Sequence, residues 1–224
     1  MLLSMHIPKT AGTSFRLALQ QRLGKSVLIA YRGQVRGDRT IVQFNGRLLE
    51  RLDEPSRVTL AEYCETNDVR CIHGHFTLQL LCDVFPEAQS ITFVRDPIKR
   101  IVSAYNHVFV VAPQTEGMTF EKFIQRDRAH NLYEQLGVLE CLDSLAFIGI
   151  TEQYERSLRL LERMFPELGS LDYEEANVSQ QKRFTEKDVT PDMRAHLREL
   201  NDADFEIYEA AKDWFEKECA AHGV

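Results

Sequence analysis

Residues Leu2 to Ile7 form a short apolar run that stops at Pro8, the pattern of a buried strand. Lys9-Thr10-Ala11-Gly12-Thr13-Ser14 follows, and then Phe15, Leu17, Ala18, Leu19 and Leu23 recur at helical spacing up to Gly24. The pattern predicts strand, small-residue loop, helix. Val27 to Tyr31 reads as a second strand and Thr59 to Thr66 as a helix; between them, Arg32 to Arg57 is rich in arginine and glycine and reads as a flap. Val69 to His73 is a further strand, punctuated by Gly74. Ser90 to Val94, β-branched and aromatic, is the clearest strand of all. It runs into Asp96 and Pro97, an N-cap and a first-turn proline for a helix that buries Ile98, Ile101, Val102 and Tyr105.

Further along, Phe120 to Arg128 and Asn131 to Leu139 read as helices and Ala146 to Ile150 as a short strand. Glu152 to Phe165 is amphipathic, with Leu158, Leu161 and Met164 on one side. Asp172 to Lys187 has no period and reads as a surface segment, and Pro191 to Leu200 and Asp204 to Cys219 are charged helices. Strands alternating with helices predict an α/β fold of three layers, a central parallel sheet covered on both faces. With 224 residues and no Pro/Gly-rich linker or repeat, one domain over 1–224 is expected.

Composition narrows the function classes. At 44% hydrophobic and 27% charged the chain is an ordinary globular one. No apolar run approaches the roughly 20 residues of a membrane span. The opening residues turn polar too early for a signal peptide. Five scattered cysteines, Cys64, Cys71, Cys82, Cys141 and Cys219, contain no CxxC pair, which suits reduced thiols. A soluble, cytoplasmic protein is expected. The net charge of −7 argues against general adhesion to nucleic acid or anionic membranes. It is unevenly spread: residues 1–57 carry ten Lys and Arg against four Asp and Glu, the remainder 17 against 30. A basic first quarter can focus a small anion, or simply offset acidic solvated helices further on.

Three elements carry candidate chemistry. The loop Lys9 to Ser14 lies between a strand and a helix, where unpaired N–H groups and the helix dipole attract an anion. Ala11 and Gly12 allow close backbone approach, Thr13 and Ser14 add hydroxyls, and Lys9 brings a point charge; a plain small-residue helix cap has the same look. The lysine precedes the glycine, so the loop is not the cradle of a nucleoside triphosphate site. In Arg95-Asp96-Pro97-Ile98-Lys99-Arg100-Ile101-Val102-Ser103, Arg95 stands at a strand's carboxyl end, where open α/β sheets bind ligands. Ser103 lies two turns into the helix, so a second phosphate fits between them; capping plus surface ion pairs is the plainer alternative. His73-Gly74-His75 follows a strand, where an imidazole suits a general base, a packed residue or, with no third ligand of fitting spacing nearby, least of all a metal ligand.

Taken in order, HIPKTAGTS, HGH, FVRDPIKRIVSAY and IGITEQYERSL resemble carbohydrate sulfotransferases, nearest the heparan-sulfate 2-O-sulfotransferase-like group, in a bacterial cytosolic form. The resemblance spans His6 to about Trp214. It implies a P-loop-like fold binding 3′-phosphoadenosine-5′-phosphosulfate (PAPS), with no metal. By resemblance, Lys9, Thr10, Ala11, Gly12, Thr13 and Ser14 hold the 5′-phosphosulfate and Arg95 and Ser103 the 3′-phosphate. His75 is then the base and His73 its support, and Lys9 steadies the leaving group. A segment before the final helices covers the nucleotide, matched loosely by Ser179, Lys182 and Arg183. The implied partner is a hydroxyl-bearing acceptor of the carbohydrate class. By position alone, the stretch Arg32 to Arg57 and the region 113–140 are candidates to shape its cleft, and Arg32, Arg36 and Arg39 either meet an anionic sugar or lipid or simply sit in water. The chain carries neither the membrane anchor nor the disulfide pattern of the animal enzymes, and its acidity does not suit a polyanionic acceptor. Two other readings remain: a non-catalytic nucleotide-binding module, and an ATP- or GTP-dependent P-loop kinase, which leaves Arg95 and Ser103 without a task. Nothing in the sequence signals an oligomeric state.

Overall fold

The run that opens the chain becomes the middle of the sheet. Strand β1, Leu2–Met5, is buried at all four positions, as a parallel strand covered on both faces must be. It pairs in parallel with β5, Cys71–Gly74, on one side and β6, Gln89–Val94, on the other. The computed structural model describes residues 1–31, 34–36, 41–43, 54–111, 117–126, 130–171 and 183–224. Across it the strand order is β4 (Ile41–Gln43), β3 (Gln34–Arg36), β2 (Val27–Tyr31), β5, β1, β6, β7 (Leu145–Ile150). Strands β2 (Val27–Tyr31), β5, β1, β6 and β7 (Leu145–Ile150) are parallel, flanked by helices in a three-layer α/β arrangement.

Two short strands, β3 (Gln34–Arg36) and β4 (Ile41–Gln43), extend the sheet antiparallel from β2, where the sequence suggested only a flap. The remainder of that stretch before Glu54 lies outside the described residues. The helices are α1 (Gly12–Leu23), α2 (Glu54–Thr66), α3 (Leu78–Cys82), α4 (Pro97–Val111), α5 (Phe120–Ile124), α6 (Leu132–Gln135), α7 (Val138–Cys141), α8 (Tyr154–Met164), α9 (Pro191–Glu199) and α10 (Asp202–His222). The one-turn α3 was not anticipated. The stretch 131–139, expected as one helix, is two, because Gly137 turns left-handed at φ 69°.

Local chemistry sets the helix that matters most for the site. Asp96 Oδ1 accepts the Lys99 N–H at 2.9 Å and Pro97 opens α4, as the Asp-Pro pair predicted. The principal core joins β1, β2, β5, β6 and β7 to Phe15, Leu19, Leu158, Leu161, Ile207 and Phe215 from the helices. A second core packs α4 through Ile98, Ile101, Val102 and Tyr105 against Phe120, Phe123, Leu197 and Phe205. The parallel strands end along one edge, and the segments leaving β1, β5 and β6 emerge there side by side. That edge, beside the central strand where the order reverses, is where open α/β sheets bind ligands.

Candidate active site

The loop between β1 and α1 is strained. Lys9 at φ 73° and Ala11 at φ 63° both sit in the left-handed region without being glycine, at a cost of about 1–3 kcal/mol each. Left-handed residues alternating with ordinary ones turn successive N–H groups inward, forming an anion-binding concavity. Thr10 between them is buried, and its hydroxyl donates to the Ile7 carbonyl at 2.8 Å, so this threonine braces the loop from within. Helix α1 then starts with no side-chain cap and no acidic residue in its first turn. The positive end of its dipole is therefore not offset by a capping side chain or a first-turn carboxylate, a start that favours an anion. Burial and the nearby Arg95 guanidinium both lower the Lys9 ammonium pKa, as expected where positive charge is concentrated and partly stripped of water.

Arg95, the first residue past β6, is tied directly to that loop: its guanidinium NH1 donates to the Lys9 carbonyl at 3.3 Å. Its Nε is buried without a hydrogen-bond partner and lies 3.8 Å from Glu152 Oε1. Glu152 also accepts the Asp96 N–H at 3.3 Å and the Tyr208 hydroxyl at 3.2 Å. Arg95 is therefore half-buried, held between the Lys9 carbonyl and the Glu152 carboxylate. Ser103 is half-buried on α4. One helical turn beyond it, Asn106 takes the Arg183 N–H at 2.9 Å and the Phe184 N–H at 3.2 Å on Oδ1, and returns Nδ2 to the Phe184 carbonyl at 2.8 Å. The Arg183 guanidinium lies over the Phe109 ring at 4.3 Å. The segment carrying Arg183 is thus laid along the same helix as Ser103. Ser179 and Lys182 fall outside the described residues.

Three histidines meet at the ends of β1 and β5. His73 is buried, and its Nδ1 bonds Ser4 Oγ at 2.8 Å. The Tyr31 hydroxyl bridges His73 Nε2 at 2.9 Å and His6 Nδ1 at 2.6 Å. A hydroxyl has one proton, so it donates to one imidazole and accepts from the other, coupling their tautomers. His6 and His75 rings lie 4.8 Å apart and the Tyr31 ring stands edge-on to His75 at 4.7 Å. Burial pushes His75 down to about 4 and His73 to about 3, the latter helped by the charge His75 would carry; His6 falls for the same reasons. At neutral pH all three are uncharged bases. His75 Nε2 is buried with no hydrogen-bond partner, an orphan of the kind a substrate proton satisfies.

Both glycines here are steric necessities. A Cβ at Gly12 would fall 1.9 Å from the His6 ring, and one at Gly74 would fall 1.8 Å from the Ala30 carbonyl oxygen. The His75 N–H also bonds that oxygen at 2.7 Å, so Gly74 lets His75 turn off the strand. Among the described residues no three His, Cys, Asp or Glu side chains converge as a metal set.

A family model described as the Sulfotransferase family matches residues 1–210. The chain belongs to this sulfotransferase family. A sulfotransferase from Alicyclobacillus acidocaldarius shares the fold, with 18% sequence identity, a TM-score of 0.52, and coverage of 93% of this chain and 94% of that one. No curated protein matches the chain. Family membership makes this an enzyme that moves sulfuryl groups to a hydroxyl-bearing acceptor. No helix among the described residues is long and apolar enough to cross a membrane.

Sequence reasoning singled out Lys9, Arg95, His73 and His75, and the sulfotransferase fold gathers them on one edge. It missed His6, Tyr31 and Glu152. His6 and Glu152 adjoin strand ends inside the motifs already quoted, so their position was the available signal. Tyr31 closes β2 on the same edge as His75, which is visible once the strands are known to be parallel.

Proposed function

We propose that this sulfotransferase carries sulfuryl from PAPS to a hydroxyl of a carbohydrate or other small acceptor. The observation that carries the reading is the bond from Arg95 to the Lys9 carbonyl, which ties the loop before α1 to the end of β6, with a neutral, half-buried His75 at the end of β5. Loop strain, the start of α1 without a capping side chain and the Arg95 guanidinium beside the loop fit a donor with phosphate groups at both ends. When bound, the donor supplies an activated sulfuryl group on a good leaving phosphate.

The N–H groups from residue 11 onward, fixed before any ligand arrives, hold the 5′ end without reorganising. Arg95 and Ser103 hold the 3′-phosphate, and that remote grip fixes the reacting end. His75 accepts the proton of the acceptor hydroxyl as its oxygen bonds sulfur. Lys9 donates a hydrogen bond to the oxygen that sulfur leaves, offsetting the charge gathering there. His73 and Tyr31 hold the imidazoles in place. Arg183 covers the nucleotide, and the protein works as a soluble cytoplasmic enzyme. The acidic chain favours a neutral or weakly charged acceptor over a polyanion.

The test is transfer of labelled sulfate from PAPS into a cell extract, with identification of the product, alongside calorimetry against 3′,5′-bisphosphoadenosine and ATP with magnesium. Labelled product plus tight bisphosphoadenosine binding is expected. Binding of ATP–magnesium instead would make the protein a kinase-like nucleotide binder, and bisphosphoadenosine binding with no transfer to any acceptor would leave a non-catalytic module.

A further inference from the structure

We propose that Tyr133 is a positioning residue for donor binding, setting the place of Arg95 and hence the distance between the two anion sites; this rests on the function proposed above. Arg95 lies where β6 has ended and α4 has not begun, so no ladder or helix fixes its backbone. Thr151 Oγ1 closes the strand by donating to the Val94 carbonyl at 2.8 Å. One residue on, the Tyr133 hydroxyl accepts the Arg95 N–H at 2.9 Å and donates to the Arg95 carbonyl. An extended residue points its N–H and C=O to the same side, as in a strand pair, so a single hydroxyl serves both. Tyr133 is wholly buried, and burial raises its pKa, so the phenol keeps the proton it donates.

Tyr133 is itself held from the far side of the molecule. Its own N–H donates to Asp204 Oδ1 at 2.7 Å, and the Glu134 N–H reaches the same oxygen at 3.3 Å. Asp204, buried at the start of α10, lies 3.6 Å from the Arg100 guanidinium, which passes 5.7 Å from the Tyr133 ring centre. Next to it, Asn201 Oδ1 accepts the Asn131 N–H at 3.0 Å. A continuous strut therefore runs from α10 through α6 and Tyr133 to Arg95, and from the Arg95 guanidinium to the Lys9 carbonyl. Its far end is the 5′ loop; its near end is the group assigned to the 3′-phosphate.

A merely structural tyrosine and a positioning one differ in ligand selectivity. Tyr133→Phe keeps the ring and removes the hydroxyl, freeing the Arg95 backbone. Calorimetry on the full chain should show 3′,5′-bisphosphoadenosine bound at least tenfold more weakly, while adenosine 5′-phosphate, which lacks the 3′ group, stays within about twofold. Equal loss for both nucleotides, or no loss for either, overturns the proposal. Should the variant fail to fold, amide exchange of the unliganded wild type decides the matter. The Arg95 amide should be as protected as the β6 interior, and exchange at the rate of an open loop overturns the anchor. A wild-type chain that binds neither nucleotide refutes the donor reading and the 3′ role with it, while the exchange result still judges the anchor separately.

Discussion

Acidification should destabilise this protein before most of its carboxylates titrate. His75 and His73 are held neutral by burial, with pKa values pushed down to about 4 and about 3, whereas in an unfolded chain both return to roughly 6.5. A histidine lowered in the folded state stabilises that state fully above its unfolded pKa. The contribution disappears as pH falls through 6.5, because only the unfolded chain takes up the proton. Between pH 7 and pH 5 the linkage integral is about 2 kcal/mol for each residue, so about 4 kcal/mol for the pair, with His6 adding in the same direction. Against a typical total of about 5–15 kcal/mol, that is a large share. Urea unfolding at pH 7, 6 and 5, followed by tryptophan fluorescence of Trp214, measures it directly. Since Asp and Glu titrate mostly below this window, a midpoint that is flat from pH 7 to 5 would refute a histidine cluster held neutral by its surroundings. Turnover at low temperature should persist below pH 6, where an exposed histidine base would already be protonated.

Lys9→Ala and His75→Ala should each lower turnover by about a hundredfold or more, the usual size of a lost leaving-group donor or base; a His75→Ala rate near wild type, with the true acceptor, removes that residue from the base role. Arg95→Ala should weaken bisphosphoadenosine binding in calorimetry while leaving acceptor affinity nearly unchanged, and equal nucleotide affinity in variant and parent counts against its assignment. Gly12→Ala puts a methyl 1.9 Å from the His6 ring, so the ring or the helix start must move, at about 1–3 kcal/mol. A thermal scan should show a loss of several degrees, and an unchanged midpoint would mean the contact is not made.

The elements that were legible in the sequence are those whose burial is two-sided or whose caps are local. Leu2–Met5 and Ser90–Val94 announce themselves because a central parallel strand has no polar face, and Asp96-Pro97 because a cap is written in adjacent residues. The antiparallel β3 and β4 were hidden because three-residue strands in an arginine-rich stretch carry no measurable period. The site divides in the same way. Lys9, His75 and Arg95 each follow a strand end, so sequence position alone brought them forward, aided by the family resemblance. Tyr133 and Tyr31 look like any core aromatic, since what distinguishes them is the hydroxyl's partners, Arg95, His6 and His73. Those partners are set by the crossing of elements far apart in the chain. Gly12 was legible as a glycine but for a different reason: the open backbone was expected to admit a phosphate, whereas the missing Cβ also makes room for the His6 ring.

On the function proposed above, an acidic protein that binds a polyanionic donor needs its positive charge to be local. Net charge acts over a Debye length of about 8 Å at physiological salt, so the surplus of carboxylates on distant helices is screened from the cleft. Within the cleft the balance is reversed. Lys9, Arg95 and the uncapped α1 terminus are all positive, the three histidines are neutral, and Glu152 is the carboxylate in contact with Arg95. Concentrating charge this way is costly, as the lowered Lys9 pKa records. An anion bound between Lys9 and Arg95 would relieve their mutual repulsion. Relief of that repulsion therefore adds to the binding energy of an anion held between the two side chains. For the same reason the rigid strut matters: if Arg95 could swing away, the repulsion would relax before the ligand arrived and that contribution would be lost.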